Sequence, residues 1–144
     1  MNKAIPTDSF VHFQILVWGG ASALGQYTIQ LCKLSGMQVI TTASPKNFDL
    51  VRSLGATGIF DYRDEQVSAK IKSQWISLKH AVDCIATEQT LKQVSDAMSG
   101  TEEGYIAMAL GPDTSAVKAN IKAEFALVHT LLGKVRFRFI VHYM

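Results

Sequence analysis

The sequence predicts a doubly wound α/β fold, about six parallel strands with helices flanking the sheet. Three observations predict it. Short apolar runs rich in β-branched residues alternate along the chain with segments of helical periodicity. The first such run, ending at Trp18, passes into its helix through a glycine turn. The loops are short, so successive strands can pair in parallel only through right-handed crossovers. The chain has 144 residues, 48% of them apolar and 18% charged, as in one globular domain that buries a single core.

Each element has its own signal. Residues 1–14 carry Pro6 and an Asp-Ser pair without periodicity and read as a lead-in segment. Ile15 to Trp18 is a buried strand stopped by glycine. From Leu24 the apolar positions Ile29, Leu31, Cys32 and Leu34 follow helical spacing, and Gly36 supplies the stop. Residues 37–44 form a second strand. The next helix, 47–55, is two turns long, closed by Gly55 and with Asn47 placed to cap its start. A third strand spans 58–62. The helix over 64–74 points Val67 and Ile71 inward. A fourth strand spans 80–85, the helix over 87–99 buries Leu91, Val94 and Met98, and a fifth strand spans 104–110. Beyond Pro112 two patterns compete. A strand would use Ile121, Ala123, Phe125 and Leu127, whereas a helix would use Ile121, Phe125, Val128 and Leu132. A sixth strand is favoured. The final stretch alternates, and "KVRFRF" (Lys134 to Phe139) reads as one half-exposed strand; left uncovered, so apolar an edge invites aggregation.

Composition excludes several functions. The net charge of +2 comes from 14 basic and 12 acidic residues spread along the chain, which gives no concentrated field for nucleic acid. Cys32 and Cys84 sit in apolar patterns, which points to a reducing, cytoplasmic setting without disulfides. His12, His80, His129 and His142 stand far apart, so no metal site is expected. No apolar run approaches the roughly 18 residues needed to span a bilayer, and the start lacks the apolar centre of a signal peptide.

The chemistry concentrates at the strand tips. A helix N-terminus offers unpaired N–H groups and a partial positive charge, which suit a phosphate. In "GGASALG", Gly20 and Gly25 take the first and last positions of the G-x-G-x-x-G fingerprint, and Ser22 stands where the central glycine would be. Gly20 is read as making the sharp turn and Gly25 as letting helix and strand pack closely, while the Ser22 hydroxyl could donate to a phosphate oxygen. At the tip of the second strand, "TTASPKNF" has no acid to bond an adenosine ribose. It offers Ser44, Lys46 and Asn47, which favour NADP over NAD. Tyr62 and Arg63 follow the third strand, where they could meet the adenosine end. A ligand-free turn and a rim tyrosine are the plainer alternatives. Asp83, ending the fourth strand, could orient a loop or the cofactor's ribose, but a capping or structural carboxylate is the favoured reading. A Y-x-x-x-K pair, a G-x-S-x-G elbow and a Walker loop are all missing.

Together the blocks "ILVWGGASALGQYTIQLCKLSG", "VITTASPKNFDLVRSLGA", "IFDYRDEQV", "AVDCI" and, more loosely, "HTLLGK" resemble the nucleotide-binding half of the medium-chain dehydrogenase/reductase superfamily. The likeness is greatest to its zinc-free fungal branch of trans-acting enoyl reductases and toxin-cluster oxidoreductases. The resemblance implies a Rossmann-type domain over residues 15–134 and NADPH as cofactor, with hydride passing to the activated C=C bond of an enoyl thioester, free or on a polyketide synthase carrier. It would lay Ser22, Ala23 and Leu24 along the pyrophosphate and set Ser44, Asn47 and Tyr62 around the 2′-phosphate, with Lys46 added on charge. Residues 135–144 would be a divergent tail. The family's N-terminal catalytic domain is expected to be absent, so no catalytic residue is assigned. A catalytically silent nucleotide-binding or interaction module is the alternative.

Overall fold

The computed structural model describes residues 13–125. Six strands form one parallel sheet: β1 (Gln14–Trp18), β2 (Gln38–Ala43), β3 (Ala56–Asp61), β4 (His80–Asp83), β5 (Gly104–Met108) and β6 (Ile121–Phe125). Their order is β3-β2-β1-β4-β5-β6. The chain leaves β1 toward β2, builds outward to β3, then returns to the other side of β1. The switch point therefore lies between β1 and β4, where Trp18 and Asp83 are register partners.

Four helices cover the two faces: α1 (Ala23–Leu34), α2 (Phe48–Leu54), α3 (Val67–Gln74) and α4 (Glu88–Ala97). On one face Ile29 and Cys32 of α1 and Val51 of α2 pack on Ile15, Val17 and Val39. On the other, Val67 and Ile71 of α3 and Leu91, Val94 and Met98 around α4 pack on Leu16, Ile40, Ala81 and Ile106. Alternate residues of β1 thus serve opposite cores, the reason its sequence is continuously apolar.

The local chemistry explains where helices stop. Gly36 and Gly55, at φ +81° and +121°, close α1 and α2 in a region disfavoured for residues with a Cβ. α4 starts in a capping box of Thr87 and Thr90.

One expectation changes, and one open choice is settled as expected. Asn47 does not cap α2: it ends a 3-10 turn (Pro45–Asn47) at φ −106°, ψ 5°, and its amide donates to Ser44 Oγ (3.1 Å). The proline starts this turn one residue after Ser44, so helical winding begins before the asparagine can serve as a cap. For Ile121–Phe125 the strand reading holds and the helical one fails, since this stretch pairs with β5 along its whole length. Its crossover, residues 109–120, contains no helix; Val117 packs on the core and the Lys118 N–H donates to Ser95 Oγ (3.0 Å). The lead-in up to residue 12, residues 126–134, the "KVRFRF" segment and the 135–144 tail lie outside the described residues.

Candidate functional site

The carboxyl ends of β3, β2, β1 and β4 bring the sequence's candidate residues to one edge. At its centre is the turn from β1 into α1. Gly19 has φ +80° and Gly20 does not, so the left-handed step of the sharp turn falls on Gly19. Gly20 answers a different need: a Cβ there would stand 2.1 Å from Thr41 Oγ1, a buried hydroxyl that donates to Val17 O (2.7 Å). A Cβ on Gly25 would lie 2.1 Å from Gly19 O and 2.8 Å from Gly20 Cα, so α1 starts in backbone contact with the turn. The doubled glycine was the available sign that Gly19 matters.

Ser22 is the N-cap of α1. Its Oγ accepts from Gly25 N–H (3.1 Å) and donates its single proton to Gly19 O (2.7 Å). In this arrangement the hydroxyl has no proton left for a phosphate, because the serine builds the turn instead. What faces outward is backbone. The N–H groups of Ala23 and Leu24, at the first two helical positions, have no acceptor within the helix. The turn is anchored to β2 through Gly19 N–H to Thr42 Oγ1 (3.0 Å) and Gly20 N–H to Thr42 O (2.9 Å).

Ala43 and Asp61 are register partners, so the residues that follow them occupy adjacent strand tips. Beyond Ala43, Ser44 and Asn47 are joined by the hydrogen bond above, and Lys46 is exposed without an ion pair among the described residues. Beyond Asp61, Tyr62 is half exposed. Arg63 turns back on Asp61, with its N–H at 3.0 Å and its Nε at 3.2 Å from Oδ1, and these bonds hold the Asp61 carboxyl below the usual carboxylate range. The positive charge looked for at Arg63 is thereby matched by its neighbour.

At the tip of β4, Asp83 is fully buried. Its Oδ1 accepts from the N–H groups of Ile85 (3.1 Å) and Ala86 (2.9 Å), and its Oδ2 from the Thr90 hydroxyl (2.7 Å). Burial pushes its carboxyl above the usual range, against these three bonds. These partners fit the favoured capping or structural reading, in which the carboxylate also orients the loop after β4. Cys32 and Cys84 are free, and burial pushes both thiols up to about 12, so neither is a nucleophile at neutral pH. Two hollows lie elsewhere, one of about 350 Å³ against β3 and Trp75 and one of about 570 Å³ at the amino end of the sheet around Phe13, His80 and Tyr105. Neither touches the glycine turn. Among the described residues no helix is long and apolar enough to cross a membrane.

A parallel sheet of this order, with a capped helix N-terminus beside its switch point, defines the class of Rossmann-type doubly wound α/β folds. Within that class, the chain belongs to the zinc-binding dehydrogenase family, which its residues 23–134 match. This is the medium-chain dehydrogenase/reductase superfamily to which its sequence blocks point. A trans-enoyl reductase of Macrophomina phaseolina is 40% identical over 122 residues, 83% of this chain and 34% of that protein. The chain thus spans about a third of the length of such relatives. Among solved structures, the CurK enoyl reductase superposes with a TM-score of 0.71 at 14% identity over 95% of this chain and 45% of its own. An Etr1p mutant solved with NADP and crotonyl-CoA superposes with a TM-score of 0.66 at 18% identity, over 88% of this chain and 40% of its own. The family's name implies zinc, but no group of three or more His, Cys, Asp or Glu among the described residues could hold a metal ion.

Proposed function

We propose that residues 15–134 are the NADPH-binding domain of an oxidoreductase of the enoyl-reductase type, acting on the activated C=C bond of an enoyl thioester. The observation that carries this reading is the first turn, where Gly25 lets α1 begin in contact with Gly19 and Ser22 caps the helix from within. The turn leaves the Ala23 and Leu24 N–H groups for the pyrophosphate and keeps the Ser22 side chain out of its way. Ser44, Lys46, Asn47 and Tyr62 would surround the 2′-phosphate, supported by the absence of any acid between Thr41 and Phe48. The bound cofactor would supply the hydride. This chain's part is to hold and orient it, with the pyrophosphate fixed at the switch point and the adenosine directed along β2 and β3. The names of the relatives, and the NADP and crotonyl-CoA held by the Etr1p mutant, support the enoyl substrate class.

Fluorescence titration tests the cofactor. NADPH should bind at least about tenfold more tightly than NADH, and Lys46→Ala should cut that preference several-fold while leaving NADH unchanged. Equal affinity for the two, or none for either, would overturn the assignment. Consumption of NADPH with a crotonyl thioester tests the activity; cofactor binding with a flat trace at high protein concentration would favour a silent binding module.

A further inference from the structure

The turn that would receive the pyrophosphate is gripped from two sides. β2 holds it with the two Thr42 hydrogen bonds, whereas β4 holds it through the loop that follows Asp83. The Cys84 N–H donates to Trp18 O (3.1 Å), extending the β1–β4 pairing past the last strand residue. The next side chain, Ile85, lies on the turn: a Cβ on Gly19 would be 2.7 Å from both Ile85 Cγ1 and Cδ1. Ile85 is nevertheless 41% exposed, so it is also part of the surface at the switch point. Ala86 then takes φ +56°, the sole non-glycine residue with positive φ among those described, while 95% buried. Alanine adopts that conformation only where its surroundings impose it. They do so here through Asp83, whose carboxylate receives the N–H groups of both Ile85 and Ala86 and is itself held by Thr90.

We propose that Asp83 is a positioning residue of the dinucleotide site: with Thr90 it locks residues 84–86 in the path that seats Ile85 against Gly19, and so fixes the β4 side of the phosphate turn. The inference rests on the cofactor reading above. It extends that reading to a buried acid that touches no cofactor atom and acts through Ile85. An isoleucine on a freely moving loop would let the turn open toward β4, since no hydrogen bond from β4 to residues 19–22 replaces the contact.

The experiment uses the full chain with Thr90→Val, Thr90→Ser, Ile85→Ala and the Thr90→Val/Ile85→Ala double variant. Hydrogen exchange at the Ile85 and Ala86 amides reads the lock directly, and NADPH titration reads its consequence. Thr90→Val should speed exchange at those two amides and weaken NADPH binding on the order of tenfold. Thr90→Ser, which keeps the hydroxyl, should restore both. In the Ile85→Ala background Thr90→Val should cost no further affinity, because the contact it acts through is already gone. A merely structural role predicts additive losses, and additivity would overturn the proposal. So would wild-type NADPH affinity in Thr90→Val, or a loss that serine does not repair. If the wild-type chain binds no NADPH, the cofactor reading itself fails and the positioning role falls with it. Should Thr90→Val fail to fold, Asp83→Asn takes its place in the same cycle: it keeps an acceptor for the two N–H groups but removes the charge.

Discussion

The two ends of the sheet use the same materials differently. At the amino end, positive-φ glycines close helices: Gly36 ends α1 and Gly55 ends α2. Lys79 pairs there with Glu102 and Lys122 with Glu103, and His80 is enclosed between the Phe13 and Tyr105 rings at centroid distances of 4.5 and 5.9 Å. At the carboxyl end, the left-handed residues Gly19 and Ala86 shape the switch point, and among the described residues the Ala23 and Leu24 N–H groups have no acceptor and Lys46 has no ion pair. The left-handed glycines at the amino end only terminate helices, whereas at the carboxyl end Gly19 and the constrained Ala86 flank the start of α1. What distinguishes the two ends is therefore position relative to the helix N-termini, not the sign of φ.

Glycine-to-alanine changes press hardest on that contrast. Gly25→Ala drives a Cβ into the Gly19 carbonyl and should cost more than about 3 kcal/mol or prevent folding, read by urea unfolding. Gly100→Ala, at the amino end, meets only the far end of Lys72 at 3.5 Å and should change stability by less than about 0.5 kcal/mol. Similar losses at both positions would break the comparison.

The next effect belongs to the amino end. Burial, then the Lys79 charge, lower the His80 pKa from 6.5 to about 4. The unfolded chain therefore takes up this proton at a higher pH than the folded one. The stability from keeping His80 neutral is fully present above pH 6.5 and is lost as the pH falls to about 4, about 2 to 3 kcal/mol in all. Urea midpoints across that window should fall with pH, and the slope should shrink in His80→Asn; an unchanged slope would remove His80 as its source. Ser22→Ala should cost less than the loss of the His80 contribution, about 1 kcal/mol from loss of the α1 cap. Its NADPH affinity should fall only as far as the turn loosens, because the Ser22 proton already belongs to Gly19 O. A loss as large as that of Gly25→Ala would return the hydroxyl to direct phosphate contact.

Much of this was legible in advance because it depends on local periodicity. The inward residues Val67, Ile71, Leu91, Val94 and Met98 follow from 3.6-residue spacing, and strand–helix alternation with short loops allows few topologies. Errors arose where a side chain's partner is distant or ambiguous. Asn47 has the right chemistry for a cap, but Pro45 starts the winding early and Ser44 takes its amide. For residues 121–125 the favoured strand reading is correct, although a helical period fits almost as well; pairing with β5 is what selects the strand. Ser22 could be placed at the turn, but not the direction of its proton.

The sequence by itself determined the class of fold, the location of the glycine turn and the acid-free tip of β2, since each is written in neighbouring residues. Tertiary structure alone decided that Gly19 carries the left-handed step, that Gly20 makes room for Thr41, and that Asp83 grips its own loop. These are contacts across strands, and burial turns them into constraints. A carboxylate removed from water must find donors, and the donors within its reach are the backbone of the loop beside the turn.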